Sequence, residues 1–131
     1  MAEFLAALEQ AGVERVIDVR ALPLSRRPGF SKSPLRAALA EAGIDYVHLK
    51  ALGTPSDGRS AARAGRREDL ERIYAGQLAL PEAIVAAAQM RELATEKPSA
   101  LLCYEREPSA CHRSLLLAAV ARDAAVTHLF A

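Results

Sequence analysis

The sequence predicts an α/β fold, a three-layer, Rossmann-like domain over residues 1–131 with a mostly parallel sheet flanked by helices. Short apolar or alternating runs recur at residues 16–19, 44–49 and 100–103. Stretches with apolar residues at helical spacing separate them, as the crossovers of a parallel sheet require. The 131 residues, 51% hydrophobic and 25% charged, suit one folded domain and exclude disordered and fibrous classes.

Each element has a local reason. Phe4, Leu5 and Leu8 lie at helical spacing in residues 4–11, and Gly12 follows where a left-handed cap ends a helix. Val16-Ile17-Asp18-Val19 is a β-branched run bounded by charge, the pattern of a buried strand. Ser33 caps a helix with Pro34 at its first position, Leu35 and Leu39 form its apolar stripe, and Gly43 closes it. In residues 44–49, Ile44, Tyr46 and His48 alternate with Asp45, Val47 and Leu49, a second strand. Residues 53–65 read as loop, and Arg59, Arg63, Arg66 and Arg67 come with no acid among them, so a mobile Arg-rich loop is expected at about 53–67. Residues 66–78 and 81–96 read as helices, the second opening on Pro81 and stopped by Lys97-Pro98. Ala100-Leu101-Leu102-Cys103 is a third strand, a helix starts near Ser109 and runs to about Arg122, and residues 126–130 form a closing strand.

Composition narrows the function little further. No apolar run approaches the roughly 18 residues of a membrane span and no signal segment opens the chain, so a cytoplasmic protein with no membrane partner is expected. The formal charge of +1 names no partner, although 14 arginines against 3 lysines favour forked contacts with anions. Two cysteines make a disulfide framework unlooked-for; Cys103 and Cys111 are expected as free thiols, with no metal and no cofactor, because their spacing suits zinc poorly.

In open parallel sheets ligands bind beyond the carboxyl ends of the strands. The residues that follow the strands are therefore the ones to weigh. The densest segment runs Cys103-Tyr104-Glu105-Arg106-Glu107-Pro108-Ser109-Ala110-Cys111-His112-Arg113. Its end falls near a helix start, where backbone N–H groups and the macrodipole favour an anion and lower a thiol pKa. Asp18 and Arg20, two apart at the end of the first strand, share a face and are costly there unless satisfied. Ser25 and Arg26 sit in the turn-rich loop Pro23-Leu24-Ser25-Arg26-Arg27-Pro28-Gly29-Phe30, and Tyr46 and His48 lie on one side of the second strand. A solvated loop, a self-satisfied Asp–Arg pair and a core histidine are the bland readings of the same residues.

The series Asp18-Val19-Arg20, Pro23-x-Ser25-Arg26, Phe30, Tyr46-x-His48-Leu49, Leu52-Gly53, Cys103-x-Glu105, Pro108 and Cys111-His112-Arg113 resembles the bacterial and archaeal family known as domain of unknown function 488. The resemblance covers almost the whole chain in order. It implies a compact α/β domain with a polar site built from these motifs, and it brings no reaction with it. Members commonly open with a further strand bearing a Thr-Ile-Gly-His type motif, whereas this sequence opens at Met1-Ala2-Glu3-Phe4, already within the first helix: either the start is mis-assigned or an edge strand and a site histidine have been lost. A weaker likeness is to rhodanese-type domains, through Asp18-Val19-Arg20, a cysteine after a strand, and Arg113-Ser114. Their persulfide cradle needs a tight loop of about five residues, shorter than residues 103–113.

The reading from sequence is a site with Glu105, His112, Cys111, Cys103 and Asp18 as catalytic candidates and Arg20, Ser25, Arg26, Tyr46, His48 and Arg113 as ligand-binding candidates. Its partner is a phosphate-bearing small molecule or a nucleic acid, with possible hydrolase or transferase chemistry. Cysteine-dependent sulfur transfer or redox chemistry, and a non-catalytic binding module, are the alternatives.

Overall fold

The computed structural model describes residues 1–103 and 112–120. The elements run α1 (Ala2–Gln10), β1 (Arg15–Asp18), α2 (Lys32–Glu41), β2 (Asp45–His48), a single 3₁₀ turn (Lys50–Leu52), α3 (Ser56–Arg63), α4 (Arg67–Leu78), α5 (Pro81–Glu96), β3 (Ser99–Leu102) and α6 (His112–Val120). The three strands form a parallel sheet in the order β2-β1-β3, with Val16 opposite Tyr46 and Ala100, and Asp18 opposite His48 and Leu102.

The strand period of two divides the core into two layers. Ile17, Val19, Val47 and Leu101 face a cluster with Leu52, Tyr74, Met90 and Leu116, drawn from the α4, α5 and α6 side. Val16, Tyr46, Ala100 and Leu102 face the other cluster, with Leu8 from α1 and Leu35 and Leu39 from α2. β1 is buried throughout because it is central and covered on both faces. Each apolar side chain so buried contributes about 1.5–3 kcal/mol. The expected α/β architecture of helices on both faces of a parallel sheet is thus what the chain adopts.

Local chemistry explains the boundaries. Gly12, at φ +72°, takes the left-handed turn that ends α1. Helix α2 starts one residue before the expected cap, after Ser31, whose Oγ accepts from the Ser25 amide (3.0 Å) and makes no capping bond to the helix. Pro34 falls inside that first turn and is tolerated there because amides of the first turn have no intrahelical acceptor. α5 spans Pro81–Glu96 as its first-position proline and stop signal predict.

Residues 53–65 are not the loop expected of them. Helix α3 occupies Ser56–Arg63, with Asp57 in its first turn and Ala61 on its buried side. Alanine and arginine are strong helix formers, and an acid near the amino end suits the dipole. The arginines expected to be uncompensated are partly paired: Arg66 lies 3.5 Å from Asp69 and Arg67 lies 3.4 Å from Glu71, both on α4, while Arg59 Nη1 donates to the Thr54 carbonyl (2.8 Å). No described helix is long and apolar enough to cross a membrane. The closing strand expected at residues 126–130, the end of the last helix beyond 120, and Glu105 and Cys111 among the site candidates lie outside the described residues.

Candidate functional site at the carboxyl edge of the sheet

β1 leads to β2 on one side, and the chain then crosses β1 to place β3 on the other. The directions of the connections therefore part between β1 and β3, the switch point at which open α/β sheets take their ligands. The segments leaving β1 and β3 there begin with Val19-Arg20 and Cys103, and His112 and Arg113 return to the same place at the start of α6. The His112 Nε2–H donates to the Val19 carbonyl (2.8 Å), while the Val19 amide donates to Leu102 of β3 (3.0 Å).

The densest polar construction lies beside the switch point, on the α1–α2 side of the sheet. Asp18 is 0% and Arg20 2% exposed. The Arg20 guanidinium grips the carboxylate with two parallel bonds, Nε to Oδ1 and Nη2 to Oδ2, each 2.8 Å. Its Nη1 donates to the Phe30 carbonyl (2.7 Å), and the Arg20 amide also donates to Asp18 Oδ1 (3.1 Å). Tyr46 Oη adds a bond to Asp18 Oδ2, and His48 Nε2–H donates to the Arg20 carbonyl (2.7 Å). Burial alone would lower the Arg20 pKa, but the bonds and charge of Asp18 outweigh it and raise the pKa. The Tyr46 hydroxyl is raised well above its ordinary value, first by burial and then by the adjacent carboxylate.

This network closes residues 20–30 into a compact loop. Within it the Lys32 amide donates to the Pro23 carbonyl (2.8 Å), the Arg27 amide to Ser25 Oγ (3.1 Å), and the Phe30 amide to the Arg27 carbonyl (3.2 Å). The Phe30 ring meets Phe4 of α1 edge-on at 5.0 Å, and the Arg27 guanidinium lies 4.4 Å from its centroid. Ser25 and Arg26 are exposed at the tip. On the far side Gly53 abuts Ala21: a Cβ at Gly53 would stand 2.3 Å from the Ala21 nitrogen, so only glycine fits.

His112 is buried and meets Tyr74 edge-on, ring centroids 5.1 Å apart. Burial pushes its pKa down to about 4, the Val19 bond opposes that shift, and the Arg113 charge adds to it. The imidazole is therefore neutral at pH 7 with its proton on Nε2, leaving the lone pair on Nδ1. Arg113 is half-buried and its Nη1 reaches toward the Leu101 carbonyl at 3.4 Å.

Sequence reasoning missed three contributors. Tyr74 donates to the Leu52 carbonyl (2.6 Å) and supports both His112 and the loop after β2; the i,i+4 spacing of Leu70 and Tyr74 is a signal for an amphipathic helix, but none exists for the hydroxyl's target. The Phe30 carbonyl leaves no sequence signal at all. Thr54 is buried, and among the described residues its Oγ1 has no hydrogen-bond partner.

Cys103 corrects an expectation: it is buried and disulfide-bonded rather than a free thiol. The chain's other cysteine is Cys111. Leu102 and His112, the described residues on either side, are both hydrogen-bonded to Val19. Among the described residues no three His, Cys, Asp or Glu side chains gather as a metal site would need.

An open parallel sheet flanked by helices, with a bonded polar edge, defines an α/β domain but not a reaction. The model of the family described as Domain of unknown function DUF488 matches residues 1–120, and the chain belongs to that family. No curated protein and no solved structure matches the chain.

Proposed function

We propose that the protein binds a phosphate-bearing ligand, a nucleotide or a nucleic acid, in the crevice between the carboxyl ends of β1 and β3, and acts on it as a hydrolase or transferase. The observation that carries this reading is the switch point itself, flanked by Val19-Arg20 on one side and by His112 and Arg113 on the other. Arg113 supplies a guanidinium for the anion, and Ser25 and Arg26 present a hydroxyl and a second guanidinium from the loop. Arg20 is a positioning residue here, because its Nε, Nη1 and Nη2 are already bonded to Asp18 and Phe30. Tyr46 and His48 share that role through Asp18 and the Arg20 carbonyl. His112, neutral at pH 7, or Glu105 serves as general base. The disulfide at Cys103 leaves sulfur transfer with no observation in its favour.

Titration of ¹⁵N-labelled protein with a nucleoside monophosphate tests the reading. Saturable amide shifts at residues 19–31 and at His112 and Arg113 are expected, weakened in Arg113→Ala. Absence of any such shift at millimolar ligand overturns it.

A further inference from the structure

The near-neutral net charge conceals a sharp asymmetry. Residues 19–40 hold Arg20, Arg26, Arg27, Lys32 and Arg36 and no Asp or Glu, whereas the other 109 residues carry 16 acids against 12 Lys and Arg. Outside this segment Arg15, Arg66, Arg67, Arg72 and Lys97 form ion pairs, while Lys50, Arg59, Arg63 and Arg91 form none among the described residues; within it Arg20 is paired with Asp18. Among the described residues Arg26, Lys32 and Arg36 are exposed and form none.

These three cations belong to one surface. Lys32 and Arg36 lie four apart on α2 and so share a face. Arg26 is held beside the start of α2 because the Ser25 amide bonds Ser31 Oγ and the Lys32 amide bonds the Pro23 carbonyl. Leu22 and Leu24, 48% and 67% exposed, stand on the same loop. Unpaired cations kept on an internally bonded loop and helix call for an anionic partner, and the phosphate crevice of the proposed function adjoins them. Leu22 and Leu24 add apolar surface beside the cations, which the unstacked bases of a single strand can cover and the paired bases of a duplex cannot.

We propose that this surface is the docking track of a single-stranded nucleic acid whose neighbouring phosphates run from the crevice along the loop to α2. The inference rests on the phosphate reading and extends it from a single nucleotide to a strand. Each cation neutralises one backbone phosphate and releases its counterion.

The test compares thymidine monophosphate, a thymidylate dodecanucleotide and vesicles of acidic phospholipid, across a salt series, with wild type and with the triple variant Arg26→Ala, Lys32→Ala, Arg36→Ala. All three residues are exposed, and circular dichroism verifies that the variant stays folded. The dodecanucleotide is expected to bind more tightly than the monophosphate, with log K falling against log salt at a slope of about −2 to −3, and the variant is expected to lose about 2 of that slope. Equal affinity for monophosphate and dodecanucleotide, or an unchanged slope in the variant, overturns the docking track while leaving the phosphate crevice in place. Binding to the vesicles without binding to the dodecanucleotide also overturns it, since the partner is then a membrane surface. Loss of monophosphate binding in wild type is the separate outcome that removes the crevice reading.

Discussion

The two ends of β1 each carry a buried arginine facing an aspartate, and the two pairs are built differently. At the amino end Arg15 donates to the Leu93 carbonyl (2.8 Å) and Glu96 (3.1 Å) and lies 3.5 Å from Asp45, which Lys97 also holds at 2.7 Å. Its acids face water, Asp45 with half its side chain and Glu96 with more. At the carboxyl end both partners are sealed, the carboxylate is gripped at two oxygens, and Tyr46 covers it. An exposed pair can separate into water at little cost, whereas a sealed pair cannot. The amino end is therefore a staple between α5, β1 and β2, while the carboxyl end is a fixed frame whose desolvation cost is borne where the loops must be placed.

The strongest way to break this contrast is to remove the sealed carboxylate. Asp18→Ala leaves the Arg20 guanidinium buried without its counter-charge and should cost about 3–5 kcal/mol in urea denaturation; a loss under about 1 kcal/mol would mean that the pair is not sealed. Acid sharpens the contrast next. His112 has its pKa depressed to about 4 in the fold, so the unfolded chain takes up its proton first as pH falls. Its contribution is whole above about pH 6.5 and drains away toward pH 4, amounting to about 3 kcal/mol. In His112→Gln the stability-against-pH curve should be flatter by that amount over this window, and a curve parallel to wild type would contradict the buried neutral imidazole. Tyr46→Phe, which takes one bond from the Asp18 carboxylate and leaves the Arg20 grip, should cost about 2 kcal/mol. The smallest effect belongs to the amino end: Asp45→Asn at the exposed pair should leave the denaturation midpoint at neutral pH unchanged within error. The carboxyl of Asp45 is held below its ordinary range by Lys97 first and Arg15 second, so what the pair adds is present at neutral pH and fades as acid protonates it.

Much of the frame was legible because it depends on period and punctuation. The alternation of Ile44, Tyr46 and His48 against Asp45, Val47 and Leu49 put Tyr46 and His48 on one side of their strand, and the two-residue spacing put Asp18 and Arg20 on one face of theirs. That the two faces coincide required the register of β1 against β2, which pairs Val16 with Tyr46 and has no sequence signature. Helix α3 escaped because its short apolar side chains, Ala61 and Ala62, make too faint a stripe beside glycine, serine and arginine. The backbone acceptors, Val19, Arg20 and Phe30, escaped because a carbonyl carries no residue identity.

The contact between Gly53 and Ala21 bears on how fast a ligand can arrive. Two loops whose backbones touch with no side chain between them have no slack to swing apart singly; one is tied to the end of β1 through Arg20, the other to α4 by the Tyr74 bond to Leu52. The ordering entropy of this rim is spent on folding, before any ligand is met. For the ligand proposed above, a rim so held leaves association to encounter and orientation, and differences in affinity between ligands to the rate at which they leave.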